Sequence, residues 1–328
     1  MQPNHPKSDR LLGLTDKIVD VAAAVLQRPD GCFLLAQRPR GKVYEGYWEF
    51  PGGKIEQGET PSQALCRELD EELGIQAQRA YPWLIRVYRY PHATVKLHFL
   101  RVVQWSGDPV SREGQAFAWQ RPGELGVSPV LPANTAVLKA LELPDRYAIT
   151  NAGELGEAES LERLQLALSR GLALVQVREK NFDESRLRRF ALEVVQRCRH
   201  QGAKVLINGD AELAVDVGAD GVHLTSRQLT EANSRPQLAW CAASCHNQRE
   251  LDRAAKLELD FAVLGPIRAT PSHPQALPLD WGRFRQIVLN APIPVYALGG
   301  LASADLPDAW TNGAHGVAMM RGAWLEQS

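Results

Sequence analysis

The sequence predicts an α/β protein of two domains, a mixed sheet with packed helices followed by a parallel barrel. The chain has 328 residues, more than one hydrophobic core usually serves. Its first part alternates short strand patterns with turns around one strongly signalled helix. After Pro144 the rhythm changes to short apolar strands separated by helical segments, which is typical of parallel strands joined by crossovers.

The composition is that of an ordinary globular protein, with 45% hydrophobic and 23% charged residues. A net charge of -1 argues against a basic face for a nucleic-acid polymer and favours small-molecule substrates. Residues 1–17 are predicted to form a polar extension without the apolar core of a signal peptide, and no run is long enough to span a bilayer. We therefore expect a cytoplasmic protein without a membrane partner.

The cysteines favour a reducing compartment over a disulfide framework. There are five, an odd number without paired metal-finger spacing. Cys241, Cys245 and His246 lie close enough along the chain to form a metal cluster, but no second Cys or His pair has a zinc-like spacing. Structural thiols are the favoured interpretation.

The first domain is predicted over residues 18–143. Its strand patterns are punctuated by turn residues, and its last segment has a helical pattern. In chain order we predict a strand at Ile18–Leu26, a turn at Pro29-Asp30-Gly31, a strand at Cys32–Gln37, a hairpin of Leu84–Tyr90 with Thr94–Trp105, and a closing helix at Asn134–Leu143.

The strongest local signal is a helix that begins after Thr60. Thr60 and Gln63 have the spacing of a capping box, Pro61 suits the first helical position, and Gly74 supplies a left-handed residue that ends the helix. Four apolar residues at helical spacing form a stripe that can anchor it. They are Ala64, Leu65, Leu69 and Leu73.

The same helix carries a crowded acidic edge. From Gly53 the chain has the pattern Gly-x5-Glu-x7-Arg-Glu-Leu-Asp-Glu-Glu-Leu-Gly-Ile, which puts Glu68, Glu71 and Glu72 on one helical face. These carboxylates repel one another, and a hard divalent cation relieves the repulsion. Just upstream, Gly52 lies in a tight turn that can aim a backbone carbonyl at the metal. The alternative is a solvated acidic face worth a few tenths of a kcal/mol.

This complete pattern resembles the Nudix box, the signature of hydrolases that cleave a nucleoside diphosphate linked to another group. Three further segments extend the resemblance to MutT-type 8-oxo-dGTP diphosphatases over about residues 18–143. They are Gln37-Arg38-Pro39, Trp48-Glu49-Phe50-Pro51-Gly52-Gly53-Lys54 and Leu131-Pro132-Ala133-Asn134. The resemblance implies a Nudix α/β/α sandwich with a mixed sheet.

The resemblance also implies how the substrate is held. Residues matching Arg38, Glu49, Phe50 and Lys54 bind the nucleotide, and the residue matching Asn134 reads the oxidised guanine edge. One amide offers both a donor and an acceptor, so it can detect the proton at N7 of 8-oxoguanine. The alternatives are a surface salt bridge for Arg38, core packing for Phe50 and a helix N-cap for Asn134.

The implied reaction is attack by water on phosphorus, releasing pyrophosphate and a nucleoside monophosphate. Its implied cofactor is Mg²⁺, with Mn²⁺ as a substitute, and its implied role is nucleotide-pool sanitising, which prevents mutation during DNA replication. The implied catalytic residues are Glu59, Arg67, Glu68, Glu71 and Glu72, and the implied metal ligands are Gly52, Glu68, Glu71, Glu72 and Glu113. Glu113 has an exposed turn residue as its alternative, and the identity of the general base stays open because coupled carboxylates titrate together.

The second domain is predicted over residues 145–328. Eight strand patterns predict a closed (β/α)8 TIM barrel, and its length of about 180 residues requires some very short helices. The weakest helical stretch lies between His223 and Trp240. The predicted strands are Tyr147–Thr150, Ala173–Arg178, Lys204–Ile207, Gly221–Leu224, Trp240–Ala243, Phe261–Leu264, Val295–Leu298 and Val317–Met320.

Polar residues and glycines follow several of these strands, where barrel active sites lie. Facing one rim, they would suit a phosphorylated ligand, with glycines exposing backbone amides. The candidate ligand-binding residues are Gln176, Arg178, Lys180, Asn208, Asp210, His223, Ser244, His246, Gly299 and Gly300.

These segments, together with Leu264-Gly265-Pro266-Ile267, resemble thiamine phosphate synthases and the related thiazole tautomerases, which implies a thiamine-precursor phosphate as ligand. Gln228 stands where the synthase has a magnesium-binding Asp, Ser272-His273 replaces an expected phosphate-binding Lys, and Pro266 stands where the tautomerase needs its His. Synthase activity, ligand sensing and a purely structural barrel stay open. A first domain that acts on thiamine-related diphosphates is the alternative to nucleotide sanitising.

Overall fold

The computed structural model describes residues 18–270 and 277–324. The predicted extension at residues 1–17, the last residues of the predicted second domain and the departure at Ser272-His273 lie outside these ranges. Within them, no helix has both the length and the apolar character needed to cross a membrane.

The first domain is built from two sheets, confirming the predicted mixed-sheet architecture. One has the strand order β4-β1-β6-β5 and the other β3-β2-β7, and β1 pairs parallel with β6 but antiparallel with β4. The strands are β1 (Ile18–Leu26), β2 (Phe33–Gln37), β3 (Trp48–Glu49), β4 (Gly52–Lys54), β5 (Gln76–Arg89), β6 (Thr94–Ser106) and β7 (Phe117–Gln120). The helices are α1 (Pro61–Leu73) and α2 (Thr135–Leu141).

Alternation along β1 explains the layers of this domain. Ala22, Ala24 and Leu26 pack with the apolar stripe of α1, and the intervening Ala23 and Val25 pack with α2 on the other side. Every residue of the α1 stripe is fully buried. The sheet is therefore covered by a helix on each face.

The helix predicted after Thr60 is confirmed at both ends. Thr60 and Gln63 form a capping box, and Gly74 is left-handed with φ of 67°. The closing helix is shorter than predicted, because a 3₁₀ turn at Pro132–Asn134 precedes α2 and the helix ends at Leu141.

The second domain is a closed barrel of parallel strands in the order β10-β11-β12-β13-β14-β15-β8-β9, as predicted. Its strands are β8 (Arg146–Ile149), β9 (Leu174–Val177), β10 (Lys204–Asn208), β11 (Gly221–Leu224), β12 (Trp240–Cys245), β13 (Phe261–Leu264), β14 (Val295–Leu298) and β15 (Gly316–Met319). Its helices are α3 (Ala152–Leu155), α4 (Glu157–Ser169), α5 (Glu184–His200), α6 (Ala211–Asp216), α7 (Ser226–Glu231), α8 (Gln248–Lys256), α9 (Asp280–Val288) and α10 (Leu306–Thr311). Helix α7, in the stretch predicted to be weakest, has only six residues.

The first domain packs against the N-terminal end of the barrel. The Trp83 indole donates to Nδ1 of His315 at 3.1 Å, and Arg101 donates to the His315 carbonyl at 3.0 Å. His315 immediately precedes β15, and Lys139 of α2 pairs with Asp260, which precedes β13, at 2.5 Å. The opposite end of the barrel, where the polar residues follow the strands, is left clear of these contacts.

The buried His315 makes stability depend on pH. Burial and the neighbouring Arg101 lower the pKa of His315 to about 3, and burial lowers that of His223 to about 3. Both folded-state pKa values lie below the unfolded value of about 6.5. The unfolded chain therefore takes up protons that the folded protein does not, so the free energy of unfolding is highest above pH 6.5 and decreases as the pH falls. We expect the free energy of unfolding in urea to fall by up to about 1.4 kcal/mol per pH unit for each ring between pH 6.5 and 5.

His315→Gln tests this assignment, because it removes one of the two titrating rings. Urea titrations at several pH values should show a slope between pH 6.5 and 5 that is smaller than that of the wild type by up to about 1.4 kcal/mol per pH unit, the share of one ring. A slope equal to that of the wild type would contradict a buried neutral His315.

Candidate functional site

A cleft of about 840 Å³ in the first domain gathers most of the residues predicted from the sequence. Its lining combines carboxylates, cations and one amide. The predicted residues that line it are Arg38, Glu49, Phe50, Gly52, Lys54, Glu68, Glu72, Glu113 and Asn134. Glu59, Arg67 and Glu71 are outside this lining and form an adjoining charge cluster.

Close packing explains why two glycines begin β4. A Cβ on Gly52, whose φ is +140°, would lie 2.1 Å from the carbonyl oxygen of Ala22. A Cβ on Gly53 would lie 2.2 Å from the Glu68 carboxyl group. Only glycines therefore let β4 pair with β1 while the acidic edge of α1 lies directly over it.

The carboxylates in this cleft are close enough to perturb one another. Glu72 accepts a hydrogen bond from the Gly52 amide at 3.2 Å. Burial raises the pKa of Glu72 to about 7 against that hydrogen bond, and the charges of Glu68, Glu113 and Glu49 raise it further. Burial and the neighbouring carboxylates therefore disfavour the negative charge on Glu72.

Arg67 is the main counter-charge to this cluster. Its guanidinium contacts Glu59 at 2.9 Å, Glu68 at 2.8 Å and Glu71 at 3.2 Å, and it holds the pKa of Glu59 at about 2. In the described ranges, no three acidic, His or Cys side chains already surround one metal position. Glu68 and Glu71 lie on one face of the helix, and their ion pairs with Arg67 fix the orientation of both side chains.

Arg38 makes the salt bridge considered from the sequence, and its partner belongs to the cleft. Its Nη1 donates to Glu49 at 2.6 Å, and its Nε donates to the Val43 carbonyl at 2.8 Å. Burial raises the pKa of Glu49, while Arg38 opposes that shift. The guanidinium is therefore fixed in orientation between the loop that follows β2 and the floor of the cleft. Across the cleft, Glu113 lies 3.8 Å from Lys42.

Asn134 has an unused hydrogen-bond donor. The residue is 4% exposed, its Nδ2 has no partner among the described residues, and it makes no capping hydrogen bond to α2. The N-cap alternative therefore does not account for its side chain. Phe50 has a packing role, since its ring contacts Phe33 and Phe99 in the core.

An aromatic wall beside Asn134 was missed by sequence reasoning. The rings of Tyr44 and Tyr90 lie 5.4 Å apart and those of Tyr90 and His92 lie 5.5 Å apart, all three lining the cleft. Tyr90 is hydrogen-bonded to the backbone of Ala133, the neighbour of Asn134. Tyr44 has φ of 61°, an uncommon conformation for a bulky residue, and no local pattern signals it.

A second cavity, of about 540 Å³, lies at the C-terminal ends of the barrel strands. The structure brings together here all but one of the ligand-binding residues predicted for the barrel. They are Gln176, Arg178, Lys180, Asn208, His223, Ser244, His246, Gly299 and Gly300. Asp210 is the exception, because its carboxylate accepts from the Leu213 amide at 2.8 Å and caps α6.

The cysteine-histidine group suggested by the sequence does not form a metal-binding cluster in the described part of the chain. Cys241 and Cys245 are buried against the surrounding helices, and the Cys241 thiol donates to the Pro236 carbonyl at 3.4 Å. His246 instead contacts Glu250 at 3.1 Å. This arrangement is that of structural thiols.

Comparisons with known proteins match each domain separately. A NUDIX domain profile matches residues 22–140, and a thiamine monophosphate synthase profile matches residues 146–323. The first domain is similar to the 8-oxo-dGTP diphosphatase of Haemophilus influenzae, at 39% identity over 38% of this chain and 92% of that protein. It is also similar to the CTP pyrophosphohydrolase of Escherichia coli, at 40% identity over 38% of this chain and 91% of that protein.

The second domain is similar to the putative thiamine-phosphate synthase 2 of Aquifex aeolicus, at 35% identity over 54% of this chain and 96% of that protein. Both resemblances drawn from the sequence are thereby confirmed at the level of the family. The chain belongs to the Nudix hydrolases through its first domain and to the thiamine monophosphate synthase family through its second.

Proposed function

We propose that the first domain hydrolyses nucleoside triphosphates to a monophosphate and pyrophosphate, with 8-oxo-dGTP as the preferred substrate. The observation that carries this proposal is the presence, in one cleft, of crowded carboxylates and the unpartnered buried amide of Asn134. The carboxylates suit phosphates bound through a cation, and the amide suits the edge of a base. The similarity to a relative named 8-oxo-dGTP diphosphatase supports it.

The donor set of the cleft fits a divalent cation. Glu68, Glu72 and Glu113 line it together, and their mutual repulsion is the condition that a hard cation relieves. Mg²⁺, or Mn²⁺ in its place, would neutralise charge on the diphosphate and ease attack by water. Glu71 belongs to the same acidic edge but does not line the cleft, and it pairs with Arg67 at 3.2 Å.

The chain's own residues orient the rest of the nucleotide. Arg38, fixed by Glu49 and the Val43 carbonyl, presents a guanidinium to the phosphates, for which its planar donors are well suited. Lys54 lines the same cleft and adds a second cation. Both would contact the phosphates of a small-molecule substrate.

Base recognition rests on Asn134 and the aromatic wall. The free Nδ2 of Asn134 can donate to a purine keto oxygen, while its Oδ1 can accept the N7 proton that 8-oxoguanine has and guanine lacks. Tyr90 and Tyr44 offer ring faces beside the same amide, and stacking on such faces contributes about 1–3 kcal/mol per base. In the cell this activity would remove oxidised nucleotides from the cytoplasmic pool before polymerases incorporate them.

A second candidate substrate is a pyrimidine nucleotide, favoured by the similarity to a CTP pyrophosphohydrolase. A pyrimidine or thiamine-related diphosphate as substrate would relate the reaction of the first domain to the ligands that the family of the second domain implies. Values of kcat/KM for 8-oxo-dGTP, dGTP, CTP and a pyrimidine diphosphate separate these candidates. Equal turnover of 8-oxo-dGTP and dGTP would count against oxidised guanine as the preferred substrate.

Removing one carboxylate of the acidic edge should abolish most hydrolysis without unfolding the domain. Glu71→Gln keeps the size of an exposed side chain but removes charge next to the substrate phosphates, so we expect pyrophosphate release to fall about 100-fold or more. Asp70→Asn is the matched control, because Asp70 lies on the same helix but pairs with Arg112. Circular dichroism should be unchanged in both variants. Retention of wild-type turnover by Glu71→Gln would remove the acidic edge from the mechanism.

Removing the Asn134 amide should reduce discrimination between substrates. We expect Asn134→Ala to lower the ratio of kcat/KM for 8-oxo-dGTP over that for dGTP by about 10- to 100-fold. This range corresponds to the loss of one or two buried hydrogen bonds to the base. Thr135→Ala, at the exposed next position, should leave the ratio unchanged. If both variants keep the wild-type ratio, Asn134 does not read the base.

A further inference from the structure

The cavity at the C-terminal end of the barrel has an unusual charge balance. Among the residues that the structure describes, no Asp or Glu lines it, whereas Arg178, Lys180 and Arg321 do. Arg321 is paired with Glu154 at 2.5 Å, so the cavity's uncompensated charge is that of Arg178 and Lys180. Its walls are otherwise largely apolar, with Ile149 and Val263 among the lining residues. The cavity therefore offers positive charge and apolar surface without a carboxylate.

The carboxylates closest in sequence to this cavity are committed elsewhere. Glu179 accepts hydrogen bonds from the amides of Ala152 and Gly153, both at 2.8 Å, and Asp210 caps α6. At the position where the family resemblance places a magnesium-binding Asp, the Gln228 amide donates to the Gly209 carbonyl at 2.6 Å. The residues present do not fit a magnesium-diphosphate site.

Two cations of the cavity lack a carboxylate partner. Neither Arg178 nor Lys180 forms an ion pair with any described residue; Arg178 uses only its backbone amide, which donates to Thr150 at 2.9 Å. Both side chains line the same cavity, where the charge of Arg178 lowers the pKa of Lys180 and burial lowers the pKa of Arg178. Two adjacent like charges of this kind are stabilised by a bound anion.

A buried chain of hydrogen bonds orients a donor towards that anion. Gln176 donates to the Tyr147 hydroxyl at 2.9 Å, which leaves its single proton for Nδ1 of His223, 3.1 Å away. His223 then carries its proton on Nε2 and donates to Ser244 at 3.0 Å. The Ser244 hydroxyl accepts this bond, so its own proton is free to be donated into the cavity that it lines.

We propose that this cavity binds a phosphate monoester of a small apolar ring directly, without a divalent cation, and does not carry out displacement of a diphosphate. The phosphate is held by Arg178, Lys180 and the Ser244 hydroxyl, and the ring lies on the apolar wall. The second domain is then a cation-independent ligand-binding module, and it differs in this respect from the metal-dependent synthase that its family resemblance implies.

Calorimetry on the full chain tests the proposal with two probes, phenyl phosphate and thiazole phosphate. In EDTA, which removes any metal-dependent binding by the first domain, at least one probe should bind, and with the same Kd as in excess Mg²⁺. Arg178→Gln should weaken binding at least tenfold. Arg188→Gln is the matched control, because Arg188 pairs with Asp216 on the outer helices, and it should leave the Kd unchanged.

Several outcomes would overturn the proposal. Binding of neither probe, binding only with Mg²⁺, or binding unaffected by Arg178→Gln would each do so. So would formation of thiamine phosphate when the full chain is given a pyrimidine diphosphate, thiazole phosphate and Mg²⁺. All of these readouts are independent of nucleoside triphosphate hydrolysis, so they leave the proposed function of the first domain unaffected.

Discussion

The close approach of β4 to its neighbours is the constraint on which the first site depends. Gly52 lies against the backbone of β1 and Gly53 against the carboxyl group of Glu68, so a side chain at either position would push the acidic edge of α1 away from the strand. The same contact puts the Gly52 amide within hydrogen-bonding distance of Glu72. The burial of that carboxylate, and with it the concentration of negative charge in the cleft, follows from two missing Cβ atoms.

The two sites use the same electrostatic principle with opposite sign. Carboxylates crowd one cleft, and the other cavity is lined by two cations, Arg178 and Lys180, that form no ion pair with any residue in the described ranges. In each case like charges raise the free energy of the unliganded protein, and a ligand of the opposite charge lowers it. The sites lie apart, because the first domain is packed on the N-terminal end of the barrel through Trp83, Arg101 and His315. The contact between the domains therefore involves neither of the two sites.

Local patterns predicted the capped helix and the barrel strands, but they missed β3, β4, β7 and the first half of β5, and not all side-chain partners could be read from them. The capping residues of α1 and the alternation in β1 concern neighbours in sequence, and the structure confirms them. Contacts such as that of Trp83 with His315, 232 positions apart, have no local signature. The same is true of the left-handed backbone of Tyr44, which is held in place by packing against Tyr90. The spacing of glycines and charged residues is enough to locate the first site in the sequence. The aromatic residues that line it come from segments distant in sequence, and no local pattern indicates them.

Arg67 compensates much of the negative charge that the acidic residues bring to α1. Its guanidinium contacts Glu59, Glu68 and Glu71 at once, and so provides local compensation for charges that would otherwise destabilise α1. Glu59 accepts two hydrogen bonds from the guanidinium, at 2.9 and 3.0 Å, and these lower the pKa of its carboxyl group to about 2. A cation bound by Glu68 and Glu71, as proposed, would have to compete with Arg67 for these carboxylates, while Glu59 would still hold the arginine. The arginine thereby stabilises the fold without neutralising Glu72, the buried carboxylate that it does not contact.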